Sequence, residues 1–567
     1  MQDLTQDGFL IKPFRRLWQV VNLERKEIGS IYLYSILNGL LQLSLPLGIQ
    51  AIINFALAGS LSTSMIVLIF AVVAAVFLTG LMQIGQLKII EKIQQRIFAR
   101  YALEFAWRLP KMTMSTVDRH YLPEVVNRYF DIISLQKSLS KLLLDIPVAS
   151  IQILFGLVLL SLYANIFIVF GLLVIVLLYM ILYLSGTRGL KTSLKESDYK
   201  YSIASWLEEV ARVLKSFRFS KGSTVPMDKT DKLVAGYLDA RTEHFKILLM
   251  QYWALIITKV LVTAGMLTVG GILLVKNEIN VGQFVASEIV ILTVLASIEK
   301  FIKSLDKVYD LLTSLEKLGK VIDHPLERSG SLQLGDCPDG MSIKVKNLGF
   351  SYGSTQVIQS LDFDILPGQK VCLSGGVGSG KSTLFKLLSG AYDDFEGTIL
   401  INEVPIGNYD PDSIRAQTGI LFNQLDIFKG SLFENISLGN PQVKPESIMS
   451  IAAKIGLTDF IAGLSQGFDT EIEPMGRQLP QGAIKKILLL RALVASPSLL
   501  LLEEPWAGLD EESSMKIKNH LLNELSGNTC LVITNDQEFI SRCDINIRIE
   551  KGKKAEIFIR SSGNKTN

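Results

Sequence analysis

Apolar residues in the first part of the chain come in runs far longer than a β-strand or an ordinary core helix. The runs are Ile28–Phe55, Met65–Leu87, Leu142–Tyr163, Ile166–Leu184, Ile247–Val275 and Val281–Leu305. A helix needs ~20 mostly apolar residues to cross a membrane, and each run meets or approaches that length. The pattern therefore predicts six transmembrane helices. Buried helices of a large soluble protein are the competing reading, and the length of the runs argues against it. Lysine and arginine then orient the spans. The links Ala56–Ser64 and Ala164–Asn165 hold neither residue, and Lys276–Asn280 holds only Lys276. The segments Lys88–Lys141 and Ser185–Lys246 are rich in both, as at Lys88, Arg96, Arg108, Arg212 and Lys221. Those two long segments and both termini are expected in the cytosol.

The long segments carry helical patterns of their own. Ile89–Phe105 continues the second span with its charges on one face, and Ser202–Leu214 is amphipathic. Pro110 and Pro123 set off a short piece around Lys111–Leu122. Ahead of the first span, Phe9–Val21 places Arg15 and Arg16 beside Phe14, Leu17 and Trp18, a pattern that suits a helix lying in the membrane surface. The first run is too long for a signal peptide and lacks a small-residue cleavage site, so it reads as a retained anchor. Charges inside spans call for a reason. Lys259 and Glu299 fall at similar depth on neighbouring antiparallel helices, and an ion pair is expected between them. Glu288 lies about 15 Å from the turn near Glu278 by helical rise, with no obvious partner.

Near Asp323–Gly340 the pattern changes. Pro325, Gly330, Gly335, Pro338 and Gly340 mark a linker, and strand-length runs follow at Ser342–Phe350 and Val371–Ser374. The expected divisions are an N-terminal cytosolic or in-plane helix (1–27), a six-helix transmembrane domain (28–322), a linker (323–341) and a C-terminal domain (342–567). The second strand runs into Gly375-Gly376-Val377-Gly378-Ser379-Gly380-Lys381-Ser382-Thr383, followed by a helical pattern at Leu384–Leu388. Glycines at this spacing let successive backbone N–H groups turn toward phosphate oxygens, and the helix start adds its positive end. Lys381 is placed to reach the terminal phosphates, and Ser382 to offer a hydroxyl to Mg²⁺. A further apolar strand, Leu499–Leu502, lies between Pro497 and Pro505 and ends in Glu503-Glu504. Beside a phosphate loop, the first acid can hold the water shell of Mg²⁺ and the second can orient an attacking water.

Composition narrows the picture further. A chain of 567 residues is too long for one compact domain, and its mean hydropathy is positive. A net charge of +3 gives no case for nucleic acid as partner. Cys337, Cys372, Cys530 and Cys543 all lie in the C-terminal part, with no zinc-like spacing, and read as reduced cytosolic thiols.

In motif order and spacing the chain resembles the ABC transporter superfamily, in its exporter-type half-transporter form, over nearly its whole length. The resemblance implies an all-α polytopic membrane domain, six transmembrane helices with long cytosolic extensions, followed by an α/β P-loop NTPase domain of ABC type. It implies that Tyr352 stacks on adenine, and that Gln424 in LFNQLDIFKGSLFENI contacts Mg²⁺ and faces the membrane domain. It also implies that Asp510 in AGLD touches the other subunit. ATP and Mg²⁺ are the implied cofactors. A second half-transporter, identical or different, is the implied partner, with membrane lipid around the spans and an exported substrate. The pieces around Lys111–Leu122 and Ser202–Leu214 would couple the domains. Leu45–Leu57, LPLGIQAIINFAL, is loosely similar to subunits that secrete proteins from bacteria, and an accessory secretion protein joins the expected partners; a bacterial inner membrane is the prior location, and lipid, peptide, drug and protein stay open as substrate. A protease-like N-terminal domain is missing, which argues against leader-peptide processing.

Three positions depart from the family pattern. The signature motif, usually LSGGQ, reads Leu479-Pro480-Gln481-Gly482-Ala483, without the serine hydroxyl expected at the γ-phosphate. The usual aspartate at the strand end is Glu503, whose extra methylene moves the carboxylate by about 1.3–1.5 Å. The switch histidine is Asn535, which can donate a hydrogen bond but cannot carry a positive charge. Glu504, the water-orienting base, is retained, as are Lys381 and Ser382. Two functions follow: an exporter subunit that binds and hydrolyses ATP with weakened turnover, or a regulatory subunit that binds ATP and gates a partner.

Overall fold

The computed structural model describes residues 6–58, 63–119, 121–424, 426–525, 527–550 and 555–560. The middle of the Ala56–Ser64 link therefore lies outside the described residues. The chain divides into two compact units, Met1–Met112 with Thr116–Pro325, and Thr113–Ser115 with Leu326–Asn567.

The first unit is helical: α1 (Gln6–Leu23), α2 (Arg25–Gln42), α3 (Ser44–Leu57), α4 (Thr63–Arg108), α5 (Met114–Arg119), α6 (Leu122–Asn127), α7 (Asp131–Tyr163), α8 (Ile166–Arg212), α9 (Leu214–Phe219), α10 (Val225–Val275), α11 (Val281–Lys303) and α12 (Leu305–Ile322). Among the described residues, six stretches of helix are long and apolar enough to cross a membrane. They contain the six runs seen in the sequence, with two differences. The first run is broken at Leu43, between α2 and α3. Pro46 has no N–H to offer the carbonyl of Gln42, so the regular ladder cannot continue there. Ser44 Oγ takes up part of the loss by donating to Leu41 O at 2.6 Å. The second difference is in helix length: α8 runs unbroken from Ile166 to Arg212, so most of the amphipathic Ser202–Leu214 stretch continues the fourth span, and α9 begins at Leu214. At 1.5 Å per residue the 47 residues of α8 reach about 70 Å, more than twice the ~30 Å hydrocarbon thickness. The polar half must therefore stand in water.

Ion pairs fall where the amphipathic patterns place them. Arg16 of α1 donates to Glu316 at 2.6 Å and to Asp323 at 2.5 Å, while Phe14 and Trp18 on the other face stay exposed. The expected Lys259–Glu299 pair is formed, and Lys303, one turn beyond Glu299, joins it at 2.5 Å. Glu288 keeps one carboxylate oxygen buried without a hydrogen-bond partner among the described residues.

The second unit is α/β. Its strands are β1 (Ile343–Tyr352), β2 (Thr355–Ile365), β3 (Lys370–Ser374), β4 (Glu396–Ile401), β5 (Val404–Pro405), β6 (Thr418–Leu421), β7 (Gly430–Ser431), β8 (Glu471–Ile472), β9 (Leu499–Glu503), β10 (Thr529–Ile533), β11 (Ile545–Arg548) and β12 (Glu556–Ile559). Its helices are α13 (Lys381–Leu388), α14 (Pro411–Ala416), α15 (Leu432–Ser437), α16 (Pro445–Ile455), α17 (Thr458–Ala462), α18 (Gln481–Val494), α19 (Glu511–Asn519) and α20 (Gln537–Arg542). An antiparallel sheet has the order β2-β1-β4-β5, and a larger sheet the order β12-β11-β3-β10-β9-β6. The larger sheet is parallel except at its β12 edge. Its central strands β3 and β10 are buried at every residue, and β9 at all but its last. Near-continuous apolar sequence is what a parallel strand covered on both faces requires.

Candidate nucleotide site

Parallel strands end together, so residues that follow β3, β9 and β10 are neighbours whatever their distance in sequence. Ile533 of β10 pairs with Leu373 on one side and with Glu503 on the other. The loop after β3, the paired glutamates after β9 and Asn535 after β10 are thereby brought to one edge of the sheet.

The loop depends on backbone conformations that side chains oppose. Gly375 has φ 138°, and a Cβ there would lie 2.1 Å from the backbone oxygen of Ile549. Gly380 caps α13 at φ 95°. Between them Val377 projects fully exposed. Helix α13 is anchored by Leu384, Phe385, Leu387 and Leu388, all fully buried, so its N-terminus is held firmly at the loop.

Each expected site residue can be placed. Lys381 Nζ folds back to donate to Gly375 O at 2.9 Å, Gly376 O at 2.7 Å and Ser379 Oγ at 3.3 Å. Burial lowers its pKa, and Glu504 and Glu503 oppose the shift. Ser382 Oγ donates to Glu503 Oε1 at 2.6 Å. The other oxygen, Oε2, accepts from the backbone N–H of Asn423 at 3.2 Å. Glu504 adopts φ 46°, which turns its side chain out of the β9 register, and its N–H donates to Ile533 O at 2.9 Å. Burial raises the Glu504 carboxyl above its usual value, while Thr534 Oγ1, donating at 3.3 Å, Lys485 and Lys381 pull it down. Asn535 closes on the loop from both ends of its amide: Oδ1 accepts from Gly375 N–H at 3.1 Å, and Nδ2 donates to Gly375 O at 3.3 Å.

Three residues stand apart from this cluster. Tyr352 belongs to an aromatic group with Phe350 and Tyr392, and its hydroxyl lies 3.4 Å from Thr383 Oγ1. Gln424 is exposed, one residue after Asn423. Asp510 caps α19, accepting from Ser513 N–H and Oγ at 2.7 Å each. The signature segment forms the start of α18: Pro480 is its N-cap residue and, like Gln481, is exposed.

Sequence reasoning missed Asn423, Thr534, Lys485 and Arg491. Arg491 donates to Asn435 O at 2.7 Å and Asp426 O at 3.0 Å, tying α18 to the segment after Gln424. Lys485 is only 6% exposed. It precedes Leu488 and Leu489 by three and four residues, so a lysine on the apolar face of α18 was the signal available.

Comparison with known proteins agrees with this geometry. Residues 358–507 match the family described as ABC transporter. An uncharacterized ABC transporter ATP-binding protein of Bacillus subtilis is 34% identical over 215 residues, 38% of this chain and 36% of that protein. An ATP-dependent lipid A-core flippase of Hahella chejuensis is 30% identical over 239 residues, 42% of this chain and 41% of that protein. The chain thus spans well under two thirds of the length of these relatives in the matched stretch. Over 94% of this chain and 95% of the other, the fold matches a bacterial Atm1-family ABC exporter with ATP bound, at a TM-score of 0.81 and 20% identity. Residues 358–507 of this chain thus match the ABC transporter family, and the chain shares the fold of an ABC exporter.

Proposed function

We propose that the chain is one half of an ATP-driven exporter, with two such halves binding and hydrolysing ATP to move a substrate across a membrane. The observation that carries this reading is the convergence of Lys381, Ser382, Glu503, Glu504 and Asn535 at one sheet edge. On binding ATP, Lys381 exchanges the loop carbonyls of Gly375 and Gly376 for phosphate oxygens, a charge-assisted contact. Backbone N–H groups of the loop and the start of α13 hold the remaining phosphate charge. Glu504, turned out of the sheet beyond Glu503, orients the attacking water.

The residues also fit a divalent cation. Ser382 Oγ and Glu503 Oε1 are hard oxygen donors 2.6 Å apart, of the kind Mg²⁺ takes, and Gln424 lies in the adjoining loop. Bound there, Mg²⁺ would neutralise phosphate charge. Its ligands would be Ser382, Glu503 and Gln424. Tyr352 would stack on the adenine, and Asp510 and the Leu479–Ala483 segment would face the partner subunit. The placement of Lys and Arg supports a cytosolic ATP-binding domain.

The reading is tested by an inter-subunit distance. In the full chain carrying Cys337→Ser, Glu504→Gln and a spin label at exposed Glu446 (Glu446→Cys), ATP should shorten the distance between labels on the two copies. A distribution that ATP leaves unchanged would show that nucleotide does not drive closure.

A further inference from the structure

Lys485 is a buried ammonium whose direct partners are neutral. Its Nζ donates to Asn423 Oδ1 at 3.3 Å and to the backbone oxygen of Glu503 at 3.4 Å. Among the described residues no carboxylate lies within ion-pair distance of it. A buried charge in that position is costly unless a compensating field is present. Burial lowers the pKa of Lys485, and the consecutive acids Glu503 and Glu504 oppose that shift and supply the field that favours the charged lysine. Glu503 is thus fixed from three directions: by Ser382 of α13 on Oε1, by the Asn423 N–H on Oε2, and by Lys485 of α18 on its carbonyl. Lys485 also holds the Asn423 side chain, so one ammonium braces both the strand end and the segment leading to Gln424.

We propose that Lys485 is a positioning residue of the nucleotide site, whose ammonium braces Glu503 and Asn423 and limits how strongly the paired glutamates attract a divalent cation. The inference rests on the ATP-binding reading above. A fixed positive charge behind the carboxylate that would hold Mg²⁺ opposes the metal's own charge, and the opposition is strong at short range in a partly buried site. A neutral residue of similar length would remove the opposition, whereas arginine would keep it.

The test is binding of a fluorescent ATP analogue to the purified full chain, titrated with magnesium chloride at constant ionic strength. Lys485→Gln is expected to lower the Mg²⁺ concentration giving half-maximal binding by about three- to tenfold, while Mg²⁺-free binding weakens by about two- to threefold because the lost charge also attracts phosphate. Lys485→Arg is expected to stay within about twofold of the native value. A Gln variant that leaves the Mg²⁺ midpoint in place, or that weakens binding equally with and without Mg²⁺, would overturn the proposal and reduce Lys485 to a packing residue. If Lys485→Gln does not fold, the Arg variant decides: a several-fold shift of the midpoint with charge retained contradicts the role. Failure of the native chain to bind the analogue at all would instead sink the nucleotide-site reading.

Discussion

Lys381→Met should abolish nucleotide binding while leaving the protein folded. The lysine is the cation at the mouth of the loop, and its present partners are two loop carbonyls and a serine hydroxyl. Those carbonyls can turn to water when the lysine is gone, because the loop is open there. The phosphates cannot find another cation of the same reach. A hydrogen bond to a charged group contributes about 1.5–3 kcal/mol, and loss of two such bonds weakens binding by roughly 100-fold or more. Titration of a fluorescent ATP analogue on native and Lys381→Met protein reads this directly. Affinity within about threefold of native would mean that the loop's backbone N–H groups carry the site alone.

The largest expected loss of stability is at Phe385, in the helix that begins at the loop. Its side chain is fully buried in a core shared with Val371 and Leu373 of β3 and Ile343 and Val345 of β1, alongside Leu384 and Leu388. Phe385→Ala removes the ring and leaves a cavity, and such changes cost about 3–5 kcal/mol. For a domain of this size that corresponds to a fall of about 10 °C in melting temperature. Phe385→Leu, which keeps most of the apolar bulk, should cost about 1.5 kcal/mol or less. The readout is thermal unfolding of the full chain followed in the C-terminal unit. Equal melting of the Ala variant and the native protein would mean that α13 is not anchored by this core. Nucleotide affinity of the Ala variant should also fall, since the start of α13 is part of the phosphate site.

Which features could be read from sequence follows from how far each depends on non-local contacts. The spans were legible because an apolar run of twenty residues has few other uses. The loop was legible because Gly375 and Gly380 occupy conformations that the spacing itself implies. The hairpin of β1 and β2 was not recognised. Its alternation at Leu361, Phe363 and Ile365 is broken before it reaches Ile358, because Ser360 takes a positive φ of 47° and shifts the register. The length of α8 was hidden because its apolar run stops at Leu184 and Ser197, Asp198 and Ser202 stand where a new helix could start, although no proline interrupts the stretch. Lys485 and Thr534 are a third kind of case. Neither belongs to a motif, and each matters only because the order β3-β10-β9 brings its strand or helix beside the glutamates.

On the proposed reading, the departures at Glu503 and Asn535 would bear on rate rather than on whether the loop cluster assembles. Asn535 still contacts Gly375 through both amide atoms, and Glu503 still reaches Ser382. Loss of one transition-state donor costs about 2.7–4 kcal/mol, roughly 100- to 1,000-fold in rate, and such losses need not add. Slow turnover is therefore compatible with an intact binding site.

Steady-state phosphate release by the purified full chain, measured beside Glu504→Gln with ATP binding followed on both, tests the central claim most directly. An ATP-driven exporter half predicts measurable turnover in the native protein, its loss in Glu504→Gln, and ATP binding retained in both. Binding without turnover in the native protein would contradict the account and make this chain an ATP-sensing subunit.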